Sequence, residues 1–444
     1  MEMIKFMRIL LAIVVLCVFI GGSLAEADEL PAVLKLRDRA KVVNELLEIR
    51  LQRLMPGFMR EENFDMWLII CNEDNLDPVF KTIIPYDTWT PITQIVVFYD
   101  KGEKGVERLN ISRTNMKDLY VKAWDPDKEE QWKCLARVVA ERDPKRIAIN
   151  ESEVIWAADG LTSTLKQRLV KAIGLKYAAR LHSGEKLAIR WLETLTEEEL
   201  SIYHHIVSIS HHLISDTFSS QLITPGVTTT DDLNWYFWQR VADLGLSCWF
   251  IPNFSIRARS NADKEKYDPA DKIIRRGDIL HCDVGITYLR LNTDHQELAY
   301  VLRQGEADIP EGFKKAFQMC NRLQDVFTGE FKQGLTGNEI LANALNRAKR
   351  EGISKPRIYS HSIGFYGHEP GPLIGLPWEQ VNCPGRGDVV MDYNTCTSVE
   401  LSVTCPIPEW GGQEVRIGLE QNAAFTPQGV VYLDGRQTRF HIIR

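Results

Sequence analysis

Two aspartates eleven residues apart, Asp283 and Asp294, are the first residues in this sequence whose spacing suggests chemistry. They lie in residues 277–302, where alternating apolar and polar residues predict a pair of antiparallel strands. A reversal centred between Tyr288 and Leu289 would place Asp283 directly opposite Asp294, with their Cβ atoms roughly 5 Å apart. Carboxylates that close need a proton, a basic partner or a metal cation. In the alternative that this hairpin leaves open, the register differs and both aspartates are solvated.

Further donor residues follow in the second half of the chain. His361 precedes Gly364 and His368, and Glu400 lies in a strand-like run whose apolar residues alternate with it. Glu420 lies in a second such run, over residues 416–425. In chain order, the candidates for one site are therefore two aspartates, a histidine and two glutamates.

At these residues the sequence resembles the pita-bread metallopeptidases, which include aminopeptidase P, prolidase, methionine aminopeptidase and the metal-free creatinase. The resemblance extends over residues 195–426. The pattern of that family is an Asp, a second Asp eleven residues later, a His followed by another His seven residues on, a Glu in a short strand, and a last Glu. Each piece alone is weak, but all five occur here in order. They are matched by Asp283, Asp294, His361 with His368, Glu400 and Glu420.

The resemblance implies a dinuclear metal site. Four carboxylates and one imidazole suit hard or borderline divalent ions, and we expect two ions of manganese, with cobalt or zinc as alternatives. By resemblance, Asp283 and Glu420 would bridge the two ions. Asp294 would complete the ligand set of one ion, and His361 with Glu400 would complete that of the other. The catalytic residues implied are Glu400, as proton acceptor beside a metal-bridging hydroxide, and His368, which would stabilise the tetrahedral intermediate.

The function that the resemblance implies is a metal-dependent exopeptidase of the Xaa-Pro aminopeptidase type. The alternatives are prolidase, a non-catalytic peptide-binding module and a creatinase-like hydrolase of a C–N bond. Two substrate-facing positions depart from the family pattern, because Lys266 and Arg357 stand where histidines are usual. His281, on the same predicted strand face as Asp283, could take over a hydrogen-bonding role toward the substrate or be a buried structural residue.

The remaining elements predict an α/β (α+β) protein of two domains. The chain has an expected signal peptide at 1–25, a creatinase-like N-terminal α/β domain at 26–188 and a pita-bread catalytic domain with a curved antiparallel sheet at 189–444. Strands are predicted at 66–71, 94–99, 106–111, 146–149, 398–403 and 416–425. Helices are predicted at 34–59, 160–172, 311–327 and 336–350, after the capping box of Thr196 and Glu199, and after Thr230. Residues 182–195 are expected to be a linker.

Four histidines on the predicted helix after Thr196 come in two adjacent pairs, His204-His205 and His211-His212. Seven residues of helix rise by about 10 Å, so the two pairs are too far apart to bind one ion. We interpret them as a solvated or partly buried helix face.

The first 25 residues have the composition of a secretory signal. Lys5 and Arg8 precede an apolar run over 9–20, which is short for a membrane span, and small residues follow it. We therefore expect an exported protein, periplasmic or extracellular, with no stable membrane anchor after cleavage. The eight cysteines beyond this segment could be free or paired.

A net charge of −7 argues against a nucleic-acid partner. The partners expected are a peptide substrate and, by resemblance, a second copy of the chain in a homodimer.

Overall fold

A computed structural model describes residues 31–268 and 270–444, and Val33–Arg444 forms one compact unit. The predicted signal peptide lies outside the described residues. The division predicted at residues 188 and 189 falls within a helix and stays a prediction. In the part of the chain that is described, no helix combines the length and apolar character needed to cross a membrane.

Helices and strands alternate in the first half, and long strands dominate the second. The helices are α1 (Leu36–Arg53), α2 (Met55–Glu61), α3 (Pro78–Ile83), α4 (Gln131–Arg142), α5 (Ser163–Ala178), α6 (Glu185–Glu193), α7 (Glu197–Thr217), α8 (Thr230–Asp243), α9 (Asn261–Lys264), α10 (Glu311–Thr328) and α11 (Gly337–Arg350). The strands are β1 (Met66–Asn72), β2 (Thr93–Asp100), β3 (Val106–Asn110), β4 (Val121–Lys122), β5 (Ile147–Ile149), β6 (Leu181–Ser183), β7 (Ser247–Cys248), β8 (Asn253–Ala258), β9 (Ile279–Val284), β10 (Ile286–Tyr288), β11 (Leu291–Asn292), β12 (His295–Val301), β13 (Arg357–Ile358), β14 (His361–Ser362), β15 (Thr395–Ile407), β16 (Gln413–Thr426), β17 (Gly429–Tyr432) and β18 (His441–Ile443).

The first sheet has the strand order β4-β3-β2-β1-β5-β6 and is covered by helices on both faces. Strand β1 is apolar and buried almost throughout, as expected for a strand without a solvent-facing side. Trp67 and Ile69 pack toward a cluster that includes residues of α1, α2 and α6, whereas Leu68 and Ile70 pack toward a cluster that includes residues of α4 and α5. The predicted α/β organisation of this half is confirmed.

The second sheet has the order β13-β15-β16-β12-β9-β8, with antiparallel pairing along this path. One face of it packs against α10 and α11, where Val399, Leu401 and Val403 meet Phe317, Leu341 and other apolar residues of those helices. The residues between them in sequence, such as Glu400, must therefore face the other side of the sheet. This second face carries the candidate site.

The register predicted for the hairpin of Asp283 and Asp294 is wrong by one residue at its centre. The reversal lies between Leu289 and Arg290, both with positive φ (51° and 70°), so that Asp283 pairs with Gln296 and not with Asp294. The observed register therefore differs from the predicted one by two residues at each pair. Strand residues two apart lie on the same face. The two aspartates therefore still share a face, as diagonal neighbours.

Two helices of the first half differ from the sequence-based expectations. Residues 182–195 are not a linker, because α6 spans most of them and buries Leu187, Trp191 and Leu192 at helical spacing. Helix α4, which begins after a cap from Glu130, was not predicted. The capping box of Thr196 and Glu199 is confirmed at the start of α7. The eight cysteines described are free thiols.

A buried ion pair connects α1 to the start of α7. Arg50 Nη1 lies 2.8 Å from Glu199 Oε2, and the two side chains are only 1% and 3% exposed. The same oxygen of Glu199 accepts the backbone N–H of Thr196, at 2.8 Å. Glu199 therefore both caps α7 and neutralises a guanidinium that has no access to solvent.

We expect replacement of Glu199 by alanine to destabilise the protein by about 3 kcal/mol, because it leaves a buried charge without its partner. The measurement is the urea midpoint of unfolding, followed by circular dichroism. The matched control is Glu197→Ala, which removes an exposed carboxylate from the same turn of α7 and should change stability by about 0.5 kcal/mol or less. Equal midpoints for the two variants would contradict this prediction.

Candidate metal centre

Three of the predicted ligands lie in one row across the second sheet. Asp283 on β9 pairs with Gln296 on β12, Gln296 pairs with Glu420 on β16, and Glu420 pairs with Glu400 on β15. Residues paired directly across antiparallel strands have Cβ atoms about 5 Å apart and point to the same side. The sheet therefore fixes three carboxylates on one face, with an amide between two of them.

The other two predicted ligands lie in the adjacent row. Asp294 stands two residues before Gln296, and its backbone N–H donates to Asn422 Oδ1 at 3.1 Å. Asn422 pairs with Ser398 across the β15–β16 ladder, and Ser398 pairs with His361 on β14. Asp294, Asn422 and Ser398 are each two positions from a member of the first row, and His361 is paired with Ser398, so the second row faces the same side. All five predicted ligands are brought together.

The distances within this group are short enough for shared ligation. His361 Nε2 lies 3.6 Å from Asp294 Oδ2 and 3.9 Å from Glu420 Oε1. One donor atom from each of these three residues lies within 4.8 Å of the others, and all three side chains are buried. Asp283 and Glu400 are partly exposed, so the buried group opens to solvent on their side.

Burial and mutual repulsion disfavour the ionised forms of these carboxyl groups. Burial raises the pKa of Asp283 to about 6 and that of Glu400 to about 7. For Asp294 and Glu420, burial and then the neighbouring carboxylates raise the pKa well above its usual range. Without a cation, the ionised cluster is electrostatically unfavourable.

The donor atoms are arranged as a cation would require. Asp294 Oδ1 is buried and, among the described residues, has no hydrogen-bond partner. Burial lowers the pKa of His361 to about 3, so its ring is neutral, and Nδ1 donates to the backbone carbonyl of Ser362 at 3.1 Å. The lone pair of His361 is therefore on Nε2, the atom that faces Asp294 and Glu420. Nε2 of His361 and the carboxyl oxygens that face it therefore form a donor set that fits a divalent metal ion.

His368 lies beside the predicted ligands without being one of them. Its ring is 4.5 Å from that of His361, edge to face, and Tyr359 and Trp249 flank it. His368 is exposed, but partial desolvation of its ring and then the charge of Arg386 lower its pKa. A neutral, accessible imidazole at this place can donate a hydrogen bond to a molecule bound at the metal centre.

Gln296 and Ser398 belong to the site but were not predicted from the sequence. The amide of Gln296 donates to Glu420 Oε2 at 2.7 Å, and the hydroxyl of Ser398 donates to Glu420 Oε1. His281 Nε2 donates to Gln296 Oε1 at 2.9 Å, and its ring is buried. The position of Gln296 two residues after Asp294 is the signal that could have identified it, because strand residues two apart share a face.

The remaining candidate residues lie outside this group. Lys266 is exposed and forms an ion pair with Asp263 at 2.9 Å. Arg357 is partly buried on β13 and donates to the carbonyl of Pro377. Of the four histidines on α7, His204 and His205 are exposed and the other two are partly buried, as expected.

Comparison with known proteins gives a family and a fold. The model of the family described as "Metallopeptidase family M24" matches residues 202–424. No curated protein sequence matches the chain.

Several solved structures share the fold at low identity. An X-Pro aminopeptidase from Thermotoga maritima MSB8 has a TM-score of 0.62 and 18% identity, over 87% of this chain and 100% of that one. An Xaa-Pro dipeptidase from Bacillus anthracis has a TM-score of 0.56 and 18% identity, over 91% and 100%. The N-terminal domain of FACT complex subunit SPT16 from chickpea has a TM-score of 0.53 and 12% identity, over 90% and 99%. The predicted pita-bread fold is confirmed.

The raised pKa values of Asp283 and Glu400 predict that these two groups stabilise the metal-free protein less as the pH rises. The folded chain retains protons on Asp283 and Glu400 that the unfolded chain, with carboxyl pKa values near 4, has already released. The contribution of each group to stability therefore falls by about 3 kcal/mol between about pH 4 and pH 7, whereas a buried neutral ring such as that of His361 contributes in the opposite sense. The measurement is the melting temperature of chelator-treated protein from pH 4.5 to 7.5. Addition of Mn²⁺ at pH 7.5 should raise this melting temperature.

Replacement of Asp283 by asparagine should change the slope of melting temperature against pH in the positive direction, because it removes one of the titrating carboxyl groups and weakens the repulsion on the others. Asp118→Asn, at an exposed carboxyl group of the first half, is the control and should leave the slope unchanged. Equal slopes for the wild type and the Asp283→Asn variant would show that the carboxyl groups are not held as the structure indicates.

Proposed function

The chain belongs to metallopeptidase family M24, and from this premise we propose that it is a dinuclear metal-dependent exopeptidase of the Xaa-Pro aminopeptidase type. The observation that carries the proposal is the face shared by Asp283, Asp294, His361, Glu400 and Glu420, all five at the positions that the family pattern requires. The similarity in fold to an X-Pro aminopeptidase and an Xaa-Pro dipeptidase supports a substrate with proline after the scissile bond.

These five side chains would hold two divalent ions. When bound, such ions activate water for attack at neutral pH and polarise the carbonyl of the scissile bond. The contribution of the protein is the spacing of the donors, which the β9–β12 and β15–β16 ladders set before any substrate binds. Gln296 and Ser398 hold the two oxygens of Glu420 in place, so this carboxylate cannot rotate freely.

We assign to Glu400 the role of proton acceptor. We assign to His368 the stabilisation of the negative charge that develops on the attacked carbonyl oxygen. Glu400 is partly exposed, unlike Glu420 opposite it, so its carboxylate is within reach of a proton released from water. His368 is neutral and exposed beside His361, and its ring N–H can stabilise an oxyanion that forms at the attacked carbonyl.

A non-catalytic binding module is the alternative of another class. Similarity in fold at 12% to 18% identity does not decide between the two. The complete donor set, the partnerless oxygen of Asp294 and the neutral His361 all favour a chain that binds metal.

A substrate panel tests the proposal. Purified protein loaded with Mn²⁺ should hydrolyse the tripeptide Ala-Pro-Ala between alanine and proline, and treatment with a chelator should abolish the activity. The dipeptide Ala-Pro, assayed in parallel, separates the aminopeptidase from the prolidase alternative. Elemental analysis of the same sample should give two ions per chain. If two ions are bound but no Xaa-Pro peptide is cleaved, the substrate assignment is wrong.

Replacement of His368 by alanine should lower kcat by about 10²- to 10³-fold, because it removes one donor to the oxyanion. The metal content should stay at the wild-type value, since His368 is not among the proposed ligands. His182→Ala, which removes an exposed imidazole from β6, is the control for loss of a histidine elsewhere. Loss of metal from the His368 variant would argue for a structural role instead.

A further inference from the structure

Gln296 stands in the middle of the first row of proposed metal ligands and is the only uncharged residue of that row. It pairs with Asp283 on β9 and with Glu420 on β16. Its amide donates to Glu420 Oε2 at 2.7 Å. Burial raises the pKa of Glu400, and a hydrogen bond from Gln296 partly offsets that rise. The nitrogen of this amide therefore faces the carboxylates, and its oxygen points away from them.

His281 binds the oxygen of the same amide. Its Nε2 lies 2.9 Å from Gln296 Oε1 and donates to it. His281 pairs with Leu298 and Gln296 pairs with Asp283, so the two residues are diagonal neighbours on one face of the sheet. The ring of His281 is only 6% exposed, and its Nε2–H is directed at the amide and not at the solvent. His281 and Gln296 thus form a hydrogen-bonded relay that ends at Glu420.

The relay matters because a glutamine amide can turn end for end at little steric cost. Its oxygen and its nitrogen are of similar size, but one accepts hydrogen bonds and the other donates them. In the turned orientation, the amide oxygen of Gln296 would face the oxygens of Glu420, and its NH2 group would face the Nε2–H of His281. Both of these contacts are repulsive. His281 therefore fixes which end of the amide faces the metal centre.

The relay supplies hydrogen bonds without adding charge to the site. Burial and the charges of Arg257 and Arg416 lower the pKa of His281 to about 3, so its ring is neutral, as is the amide of Gln296. A cationic side chain in the place of Gln296 would itself neutralise Glu420 and compete with a metal ion. A neutral donor instead holds the carboxylate in position and leaves its negative charge for the ion.

We propose that His281 is a positioning residue of the metal centre, which acts through Gln296 to hold the carboxylate of Glu420 in the orientation that binds divalent ions. This inference deepens the proposed function and rests on its metal site. It gives His281 no contact with the substrate, in contrast to the role toward a substrate that the sequence left open. The effect of His281 should therefore appear in the binding of metal, before any peptide is added.

A double-mutant cycle on the affinity for Mn²⁺ tests the relay. The variants are His281→Leu, Gln296→Leu and the two combined, each freed of metal with a chelator and titrated with Mn²⁺. The dissociation constant is obtained from the electron paramagnetic resonance signal of the free ion. We expect each single variant to bind Mn²⁺ about 10- to 100-fold more weakly than the wild type, as is typical when a partner of a metal ligand is lost. Because His281 acts through Gln296, the double variant should bind at most about twofold more weakly than Gln296→Leu alone.

Two further variants separate the hydrogen bond from the packing of β9. His281→Gln keeps an N–H donor and should bind Mn²⁺ more tightly than His281→Leu. The matched control is Cys282→Ala, which changes the next buried residue of the same strand, on the opposite face of the sheet, and should retain the wild-type affinity. Melting temperatures establish that each variant is folded. If His281→Leu does not fold, His281→Asn takes its place in the cycle, because its shorter side chain does not reach Gln296.

The outcomes distinguish the relay from the proposed function. A purely structural His281 would lower the melting temperature when replaced but leave the affinity for Mn²⁺ unchanged, and this result would overturn the relay. Losses of affinity in the two single variants that add in full in the double variant would also overturn it. A protein that shows the expected coupling but cleaves no Xaa-Pro peptide would support the relay and refute only the substrate assignment. A wild type that binds no Mn²⁺ would refute both.

Discussion

The repulsion among four carboxylates on adjacent strands is the constraint on which the rest of this structure depends. Asp283, Glu420 and Glu400 stand in one row, and Asp294 in the next, so the hydrogen bonds of the sheet prevent them from moving apart. In a buried position the ionised group is stable only with compensating positive charge. His361 cannot provide it, because its own burial keeps the ring neutral. The cluster therefore has the chemistry of a metal site.

The same strands build the hydrophobic core and the site. Along β15, Val399, Leu401 and Val403 pack against α10 and α11, whereas Glu400 and Ser402 face the other side. Because successive side chains of a strand alternate between faces, a shift of this strand by one residue would expose its apolar side chains. The free energy of burial that fixes the register thus also fixes the positions of the ligands. This coupling explains how a partly exposed site keeps precise distances.

The sequence predicts the strand face that a residue occupies better than it predicts the residue with which it pairs. The turn at Leu289 and Arg290 carries none of the Gly, Asn or Asp residues that usually mark positive φ, so its centre was predicted one residue early. The predicted face of Asp294 is nevertheless correct, because the error in register displaces its partner by two residues, and strand residues two apart share a face. Gln296 was not predicted because an uncharged amide is not a typical metal ligand, and its role is to donate a hydrogen bond to Glu420. The prediction of a linker at 182–195 is wrong because Leu187, Trp191 and Leu192 have helical spacing and are buried on one face of α6.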